Sequence, residues 1–150
     1  LYSTGARVTE ACNIKISDVS FEKGEVTLFG KGSKYRTSYL SAKSILYLKE
    51  YLNTRTDQSE YLFVSERKPH NGLKKEAIER VIRNLGKRSG IGRDLFPHLF
   101  RHTVATDMLR KDTPITDVQR MLGHANVNTT MVYAKTCDED VKRNHRKSVA

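Results

Sequence analysis

The C-terminal half of this chain contains residue types that can act together on a phosphate group. His98 and Arg101 form an H-x-x-R motif, His124 follows, Tyr133 lies nine residues after His124, and Arg7 stands far upstream. Arginine matches the charge and geometry of a phosphate, histidine can transfer protons, and a tyrosine hydroxyl can attack phosphorus. No pair of acidic residues stands beside these motifs to bind a metal. The set predicts metal-free phosphoryl transfer on a nucleic-acid backbone.

The spacing of these residues bears on how the tyrosine is activated. A free tyrosine has a pKa of about 10, so it needs a base or strong positive charge to become a nucleophile. His98 and Arg101 are three residues apart on a predicted helix, which places them on one face near its N-terminus. Free N–H groups at a helix N-terminus also favour an anion. This helix end is therefore a predicted phosphate site.

The charge of the chain favours a nucleic-acid partner. The 150 residues carry a net charge of +10, and the pI near 9.7 is in the range of nucleic-acid-binding domains. Residues 31–90 hold 14 Lys or Arg and 6 Asp or Glu, whereas residues 1–30 are slightly acidic. Clustered basic charge indicates a polyanion site, with a solvated lysine-rich surface as the alternative. The candidate DNA contacts are Lys34, Arg36, Lys74, Lys75 and Arg83.

Size and composition fit one soluble domain with its own core. No apolar run approaches the ~20 residues that a membrane span needs, and no signal peptide is visible. Cys12 and Cys137 are isolated in sequence, so no disulfide framework is indicated. We therefore expect a cytoplasmic protein that does not enter a membrane.

Residue periodicity predicts an α+β fold that is mainly α with a small three-stranded antiparallel sheet. Short apolar runs at 19–21, 26–29 and 35–40, separated by glycine-containing turns, predict the strands. Helices are predicted over 7–14, for about a dozen residues after an N-cap at Ser41, over 74–88, 97–111 and 114–123, around Tyr133, and over 138–145. The side chains expected on buried helix faces are Ile45, Leu46, Leu48, Tyr51 and Leu52, then Ala77, Ile78, Val81, Ile82 and Leu85.

Four motifs, taken in this order and spacing, resemble the catalytic domain of the tyrosine recombinases, the phage-integrase family of site-specific DNA recombinases. They are Thr4-Gly5-Ala6-Arg7, Gly30-Lys31-Gly32, the segment Pro97-His98-Leu99-Phe100-Arg101, and Leu122-Gly123-His124 followed by Thr129-Thr130 and Tyr133. The resemblance covers nearly the whole chain, and no single motif would carry it alone.

The resemblance implies a site and a reaction. Its site residues fall on Arg7, Lys31, His98, Arg101, His124 and the nucleophile Tyr133. In such enzymes the tyrosine attacks a scissile DNA phosphate, leaving a 3′-phosphotyrosine and a free 5′-hydroxyl. A 5′-hydroxyl of the partner strand then reverses the reaction, so strands are exchanged for integration or excision without a metal or cofactor. Lys31 is the candidate proton donor to the leaving oxygen, although Lys34 and Arg36 lie on the same turn.

The resemblance also bears on domain organisation and partners. We expect residues 1–150 to be a single catalytic domain that lacks the family's N-terminal DNA-clamping domain and first helices, since only six residues precede Arg7. This part alone is then expected to bind DNA weakly and to expose apolar surface. The implied partner is double-stranded DNA, and the 17 residues after Tyr133 suggest a tail that docks on neighbouring subunits of a homotetramer on paired DNA sites.

Three alternatives accompany this interpretation. His98 and His102 have the i, i+4 spacing of zinc ligands, with His124 as a third, but Leu99 stands where an H-E-x-x-H motif has its glutamate. A non-catalytic DNA-binding module would keep the fold and charge without the chemistry, and a type IB-like topoisomerase would use similar groups. The target DNA sequence, and the choice between phage, transposon and chromosome-dimer roles, cannot be derived from the sequence.

Overall fold

The protein is described by a computed structural model that covers residues 1–30, 34–124 and 130–131. Within these ranges the chain forms a short helix, a three-stranded sheet and four longer helices. The elements are α1 (Val8–Asn13), a 3-10 turn (Ile16–Asp18), β1 (Val19–Ser20), β2 (Glu25–Phe29), β3 (Tyr35–Tyr39), α2 (Ala42–Thr54), α3 (Lys75–Arg88), α4 (Pro97–Arg110) and α5 (Ile115–Leu122). The predicted α+β fold with a small antiparallel sheet is confirmed.

The sheet is a meander in the order β1-β2-β3, and both pairs of strands are antiparallel. Val26 pairs with Ser38 and Leu28 pairs with Arg36 across β2 and β3. Alternate residues of a strand point to opposite faces, so these four side chains share the inner face of the sheet. Val26, Leu28 and Ser38 are buried there, and Arg36 is carried toward the interior with them.

The helix ends match the local sequence. The Ser41 hydroxyl accepts a hydrogen bond from the backbone N–H of Ser44, which caps α2 as predicted. Pro97 occupies the first turn of α4, where its missing N–H costs nothing. Gly123 ends α5 with φ of 65°, a left-handed conformation that glycine adopts without a steric penalty.

Two apolar clusters hold these elements together. One lies between α4 and α5 and contains Val104, Ala105, Val118, Met121 and Leu122. The other joins the N-terminal segment to the sheet and contains Ala6, Ile14, Val26, Leu28 and Leu62. Of the residues predicted to act on phosphate, Arg7 follows Ala6 of the second cluster, Arg101 lies on the helix that carries Val104, and His124 follows shortly after Leu122.

Part of the predicted helix burial is wrong. Leu46 of α2 is 55% exposed, and Val81 and Leu85 of α3 are 60% and 52% exposed. Successive helical residues are rotated by about 100°, so Leu46 points away from the side on which Leu48 packs. Periodicity identifies an apolar face, but what covers that face depends on tertiary contacts. An apolar groove of about 460 Å³ lined by Leu48, Val81 and their neighbours lies beside these helices.

Several predicted features lie outside the described residues. They are the turn at Lys31, Cys137, the remainder of the helix around Tyr133, and the helix over 138–145. Among the helices that are described, none combines the length and apolar character needed to cross a membrane.

Candidate active site

Helix α4 positions the H-x-x-R motif. Pro97 and His98 occupy its first turn, and Arg101 follows one turn later. His98 is exposed at the surface, whereas Arg101 is only 2% exposed. The two side chains therefore lie at different depths of the same helix face, with the imidazole outside and the guanidinium inside.

Arg101 links two distant segments of backbone. Its Nη1 donates to the carbonyl oxygen of Gly5 at 2.5 Å, and its Nη2 donates to the carbonyl oxygen of Leu122 at 2.7 Å. Hydrogen bonds from a charged donor are stronger than those between neutral groups. These two bonds use two of the five N–H groups of a guanidinium, and they fix the Arg101 side chain relative to both the start of the chain and the end of α5.

Arg7 is positioned by the carboxylate of Glu10, three residues further along the chain. Glu10 lies at the third position of α1, and its Oε2 accepts the backbone N–H of Arg7 at 2.7 Å while its Oε1 accepts Nη1 of Arg7 at 2.9 Å. The first bond is the one that the N3 glutamate of a capping box makes with the backbone N–H of the N-cap residue. Glu10 is 2% exposed, whereas the Arg7 side chain is 39% exposed, so a buried anion holds a guanidinium that reaches solvent.

The same carboxylate also binds Arg36 of β3. Nη2 of Arg36 donates to Oε2 of Glu10 at 2.8 Å, and Nη1 donates to the carbonyl oxygen of Met121. Burial raises the pKa of Glu10, but the hydrogen bond from the Arg7 backbone and the charge of Arg36 outweigh it, so this pKa lies below its ordinary value. Glu10 is therefore ionised at neutral pH between two arginines.

His124 is held by the way α5 ends. The N–H of Gly123 bonds to the carbonyl of Arg120, and the N–H of His124 bonds to the carbonyl of Gln119. This pair of bonds is the Schellman motif, which turns the chain at a left-handed glycine. The Nδ1 of His124 lies 2.9 Å from the hydroxyl of Thr130, a fully buried residue three positions before Tyr133.

Burial and the nearby positive charges keep His124 neutral at neutral pH. Burial, which is the largest cause, and the charges of Arg101, Arg7, Arg36 and His98 together lower the pKa of His124 from 6.5 to about 4. These four side chains come from the start of α1, from β3 and from α4, and all of them place positive charge near one imidazole. A concentration of positive charge of this kind attracts an anion.

A pocket of about 370 Å³ opens where these residues meet. Its walls include Arg7, His98 and Arg101, together with Lys75, Glu79 and Phe96. The structure thus brings together three of the six predicted site residues around one cavity, with His124 electrostatically coupled to it. The remaining two, Lys31 and Tyr133, lie outside the described residues, so their positions stay predictions.

The predicted DNA contacts are placed differently from one another. Lys34, Lys74 and Arg83 are exposed, and Lys75 lines the pocket with a 3.6 Å ion pair to Glu79. Arg36 instead has a side chain that is 13% exposed and directed at Glu10 and Met121. DNA contact by these five residues stays a prediction, and Arg36 has interior partners in this structure.

Metal ligation was the alternative for the three histidines. Across residues 1–30, 34–124 and 130–131, no group of three or more His, Cys, Asp or Glu side chains is arranged to hold a metal ion. His98, His102 and His124 all belong to these ranges, so the structure does not gather them into a zinc site.

Four contributors to the site were not predicted. Glu10 could have been found from its place three residues after Arg7, the spacing of a capping box. Thr130 was noted only as part of a motif, and its bond to His124 had no local signal. The carbonyl groups of Gly5 and Leu122, which hold Arg101, are backbone atoms and leave no trace in side-chain patterns.

The sequence of the chain matches the model of the phage integrase family over residues 1–140. The chain therefore belongs to the phage integrase family. Its curated relatives include the tyrosine recombinase XerA of Pyrococcus furiosus, which is 42% identical over 144 residues, a stretch that covers 95% of this chain and 50% of the relative.

Solved structures of recombinases share the fold. The crystal structure of XerA recombinase superimposes with a TM-score of 0.86 at 35% identity, covering 99% of this chain and 55% of that chain. A post-cleavage complex of the XerH site-specific recombinase bound to palindromic difH substrate gives a TM-score of 0.79 at 28% identity, covering 96% of this chain and 42% of that chain. The chain thus spans about half the length of the curated relatives it matches.

Proposed function

We propose that this chain is the catalytic part of a site-specific DNA recombinase that cuts and rejoins DNA through Tyr133. The single observation that carries the proposal is the convergence of Arg7, His98 and Arg101 on one pocket. Membership of the phage integrase family supports it, since relatives at up to 42% identity are tyrosine recombinases. A structural relative was solved bound to its DNA substrate after cleavage.

The proposed reaction exchanges one phosphodiester for another. The phenolic oxygen of Tyr133 attacks the scissile phosphorus, the bond from phosphorus to the 5′-oxygen breaks, and a 3′-phosphotyrosine forms. The phenolic proton leaves to a base, and the departing 5′-oxygen gains a proton from Lys31. Attack by the 5′-hydroxyl of a partner strand reverses these steps, so no oxidant, metal or nucleotide is consumed.

The arginines are proposed to bind the two non-bridging oxygens of the phosphate. Arg7 reaches solvent and is held by Glu10, while Arg101 lines the same pocket with a side chain that is almost fully buried. Charge that develops on these oxygens in the transition state is then met by donors already in position. A positioned arginine in phosphoryl transfer accelerates the reaction by roughly 10³–10⁵.

His98 and His124 are proposed to complete the contacts to the phosphate. With its lowered pKa, His124 is neutral and can act as a hydrogen-bond donor or as a proton acceptor. If the Thr130 hydroxyl donates to Nδ1, the proton of the imidazole lies on Nε2, which can then donate to a phosphate oxygen. We assign this tautomer because it places a donor toward an anion.

Double-stranded DNA is the proposed partner. Exposed Lys34, Lys74, Lys75 and Arg83 are proposed to contact its phosphates. We further propose that four protomers assemble on paired sites through the residues after Tyr133, and that the reaction takes place in the cytoplasm, where the protein meets cellular DNA.

The test is covalent capture of the reaction intermediate. The full-length protein, as wild type and as Tyr133→Phe, is incubated in EDTA with nicked DNA carrying its own recombination site, so that the cut strand is lost and religation is blocked. We expect a denaturant-stable protein–DNA adduct with the wild type and none with Tyr133→Phe. DNA binding without any adduct would favour a non-catalytic DNA-binding module, and activity that required zinc or magnesium would contradict the mechanism.

A further inference from the structure

Like Arg101, Arg36 joins the two parts of the site that carry Arg7 and His124, but Arg36 does so through the Glu10 carboxylate. Its Nη2 donates to Glu10 at 2.8 Å, and its Nη1 donates to the Met121 carbonyl. Glu10 lies in α1 and Met121 in the last turn of α5. One guanidinium on β3 therefore bridges the segment that carries Arg7 and the segment that carries His124.

On one side, Arg36 acts on Arg7 through their shared carboxylate. Glu10 uses Oε1 for the Arg7 side chain and Oε2 for both the Arg7 backbone and Arg36. A carboxylate that is bonded from two directions has little freedom to rotate. Since the Arg7 guanidinium is held by Glu10, a Glu10 carboxylate that is free to rotate would no longer fix the position of Arg7.

On the other side, Arg36 acts on the end of α5. The last carbonyl groups of a helix have no partner within the helix and carry partial negative charge, so a cation is favourable there. The Met121 carbonyl lies three residues before His124. A donor on this carbonyl fixes the turn from which the imidazole projects.

Gly123 leaves the space through which Arg36 passes. A Cβ built at this glycine would lie 2.5 Å from Cδ and 2.8 Å from Nε of Arg36, closer than atoms can approach. The residue that turns the chain toward His124 is thus also in contact with the arginine. The Arg36 side chain therefore packs directly against the turn that leads to His124.

We propose that Arg36 is a positioning residue that aligns Arg7, through Glu10, and His124, through the Met121 carbonyl, for phosphate binding. It does so from the interior and without touching DNA, in contrast to the DNA contact predicted from the sequence. The inference rests on the proposed recombinase function, because the role of Arg36 is measured as an effect on the rate of DNA cleavage.

The test separates alignment of the site from DNA affinity and from stability. The full-length protein is compared as wild type, Arg36→Met and Arg36→Lys in single-turnover cleavage of the nicked DNA, at DNA concentrations that saturate each protein. The rate constant, the amplitude and the Kd for DNA are measured. Methionine has similar length without charge, and lysine keeps the charge but cannot reach Glu10 and Met121 together.

Arg55→Met is the matched control. Arg55 is also a largely buried arginine, bonded to Asp57 at 2.9 Å through Nε and to the Tyr61 carbonyl at 2.7 Å. None of its partners is a predicted site residue. Removal of Arg55 should therefore lower stability and the amplitude of cleavage without slowing the rate constant of the folded molecules.

For Arg36→Met we expect a rate constant about 10²-fold below wild type, which is the cost of a misplacement of about 1 Å, with Kd within about threefold of the wild-type value. The rate constant of Arg36→Lys should fall between those of the wild type and Arg36→Met. Glu10→Gln should also slow cleavage, and the double variant with Arg36→Met should be little slower than the worse single variant, because both act through one contact.

The possible results distinguish a failure of the positioning role of Arg36 from a failure of the proposed recombinase function. A raised Kd with an unchanged rate constant at saturation would make Arg36 a DNA contact and overturn the inference. An Arg36→Met protein that loses only amplitude, as Arg55→Met does, would reduce Arg36 to a stabilising role and also overturn it. An absent adduct with the wild type would instead overturn the proposed function, and with it any role in cleavage.

Discussion

Nη2 of Arg101 donates a 2.7 Å hydrogen bond to the carbonyl oxygen of Leu122. The two residues lie in α4 and α5, and His124 is two positions beyond Leu122. A residue that lines the pocket is thus bonded to the backbone segment that leads to His124. Because the other end of the same guanidinium binds the Gly5 carbonyl, the segment leading to Arg7 is held by the same group.

Arg101→Lys should lower the free energy of unfolding by about 3 kcal/mol, since one ammonium cannot serve both carbonyls and a buried acceptor is left without its donor. Urea denaturation at neutral pH measures the change. Arg88→Lys, at an exposed position in the last turn of α3, should change stability by less than about 0.5 kcal/mol. Equal effects at the two positions would contradict the structural role of Arg101.

Glu10→Gln should destabilise the protein at neutral pH by about 3 kcal/mol, because it removes a buried anion from between two arginines. The pKa of Glu10 in the folded protein lies below its ordinary value, so its contribution is present above that value and is lost as the pH falls through the lowered pKa. The stability difference between wild type and Glu10→Gln should therefore shrink below about pH 4.

Urea titrations at pH 7 and at pH 3 test this expectation, with Glu22→Gln, at an exposed glutamate, as the control. A difference for Glu10→Gln that stays constant or grows on acidification would show that Glu10 is not held as an anion by Arg7 and Arg36.

His124 should titrate near pH 4 rather than at its ordinary 6.5 when followed by NMR of its ring signals. Since the folded protein then binds this proton less tightly than the unfolded chain, acidification from pH 6.5 toward 4 favours unfolding, and His124→Asn should remove that part of the acid sensitivity. Binding of an oxyanion such as inorganic phosphate should raise the pKa by offsetting the nearby positive charge. A midpoint near 6.5 in the free protein would show that this imidazole does not have the buried, positively charged surroundings that the structure gives it.

Thr130→Val should slow covalent cleavage by about tenfold or more, since the imidazole loses the partner that fixes its tautomer and orientation. Thr106→Val is the matched control, because Thr106 is also a buried threonine. Its hydroxyl donates to the backbone carbonyl of His102 and has no bond to His124 among the described contacts. Single-turnover cleavage rates decide between them. A loss of equal size in Thr106→Val would mean that general destabilisation, and not orientation of His124, is responsible.

Gly123→Ala should destabilise the protein more than Gly90→Ala does. Both glycines have φ near 65°, which costs an alanine about 1–2 kcal/mol. A Cβ at Gly90 meets nothing within 4 Å, whereas one at Gly123 collides with Arg36, adding about 1–3 kcal/mol of overpacking. Thermal unfolding of both variants measures the difference, and equal shifts in Tm would contradict the close approach of Arg36.

The local features of the fold could be predicted because each has a local cause. Pro97 marks the start of α4 and Gly123 the end of α5, since one fits only a first turn and the other a left-handed residue. The small sheet followed from short apolar runs between glycine turns. The exposure of Leu46 and Val81 could not be predicted, because whether an apolar face is covered depends on neighbours that are distant in sequence.

Side chains of the candidate site could be predicted from the sequence, but the hydrogen bonds that position them could not. Arg7, His98 and Arg101 belong to motifs whose residue types indicate phosphate chemistry, and the structure brings them to one pocket. The bond between Glu10 and Arg36 spans 26 residues, so it has no signature in local spacing. Partners of this kind can be found only once the sheet and α1 are placed together.

The most direct test of the account is to locate the covalent bond. The adduct formed by the full-length protein on nicked DNA, with separate labels at the 3′ and 5′ sides of the cut, is digested with protease and nuclease and analysed by mass spectrometry. The account predicts a single phosphotyrosine at Tyr133 that carries the 3′ side of the strand, with the 5′ side released as a hydroxyl. A bond to another tyrosine, to a serine, or to the 5′ side would contradict it.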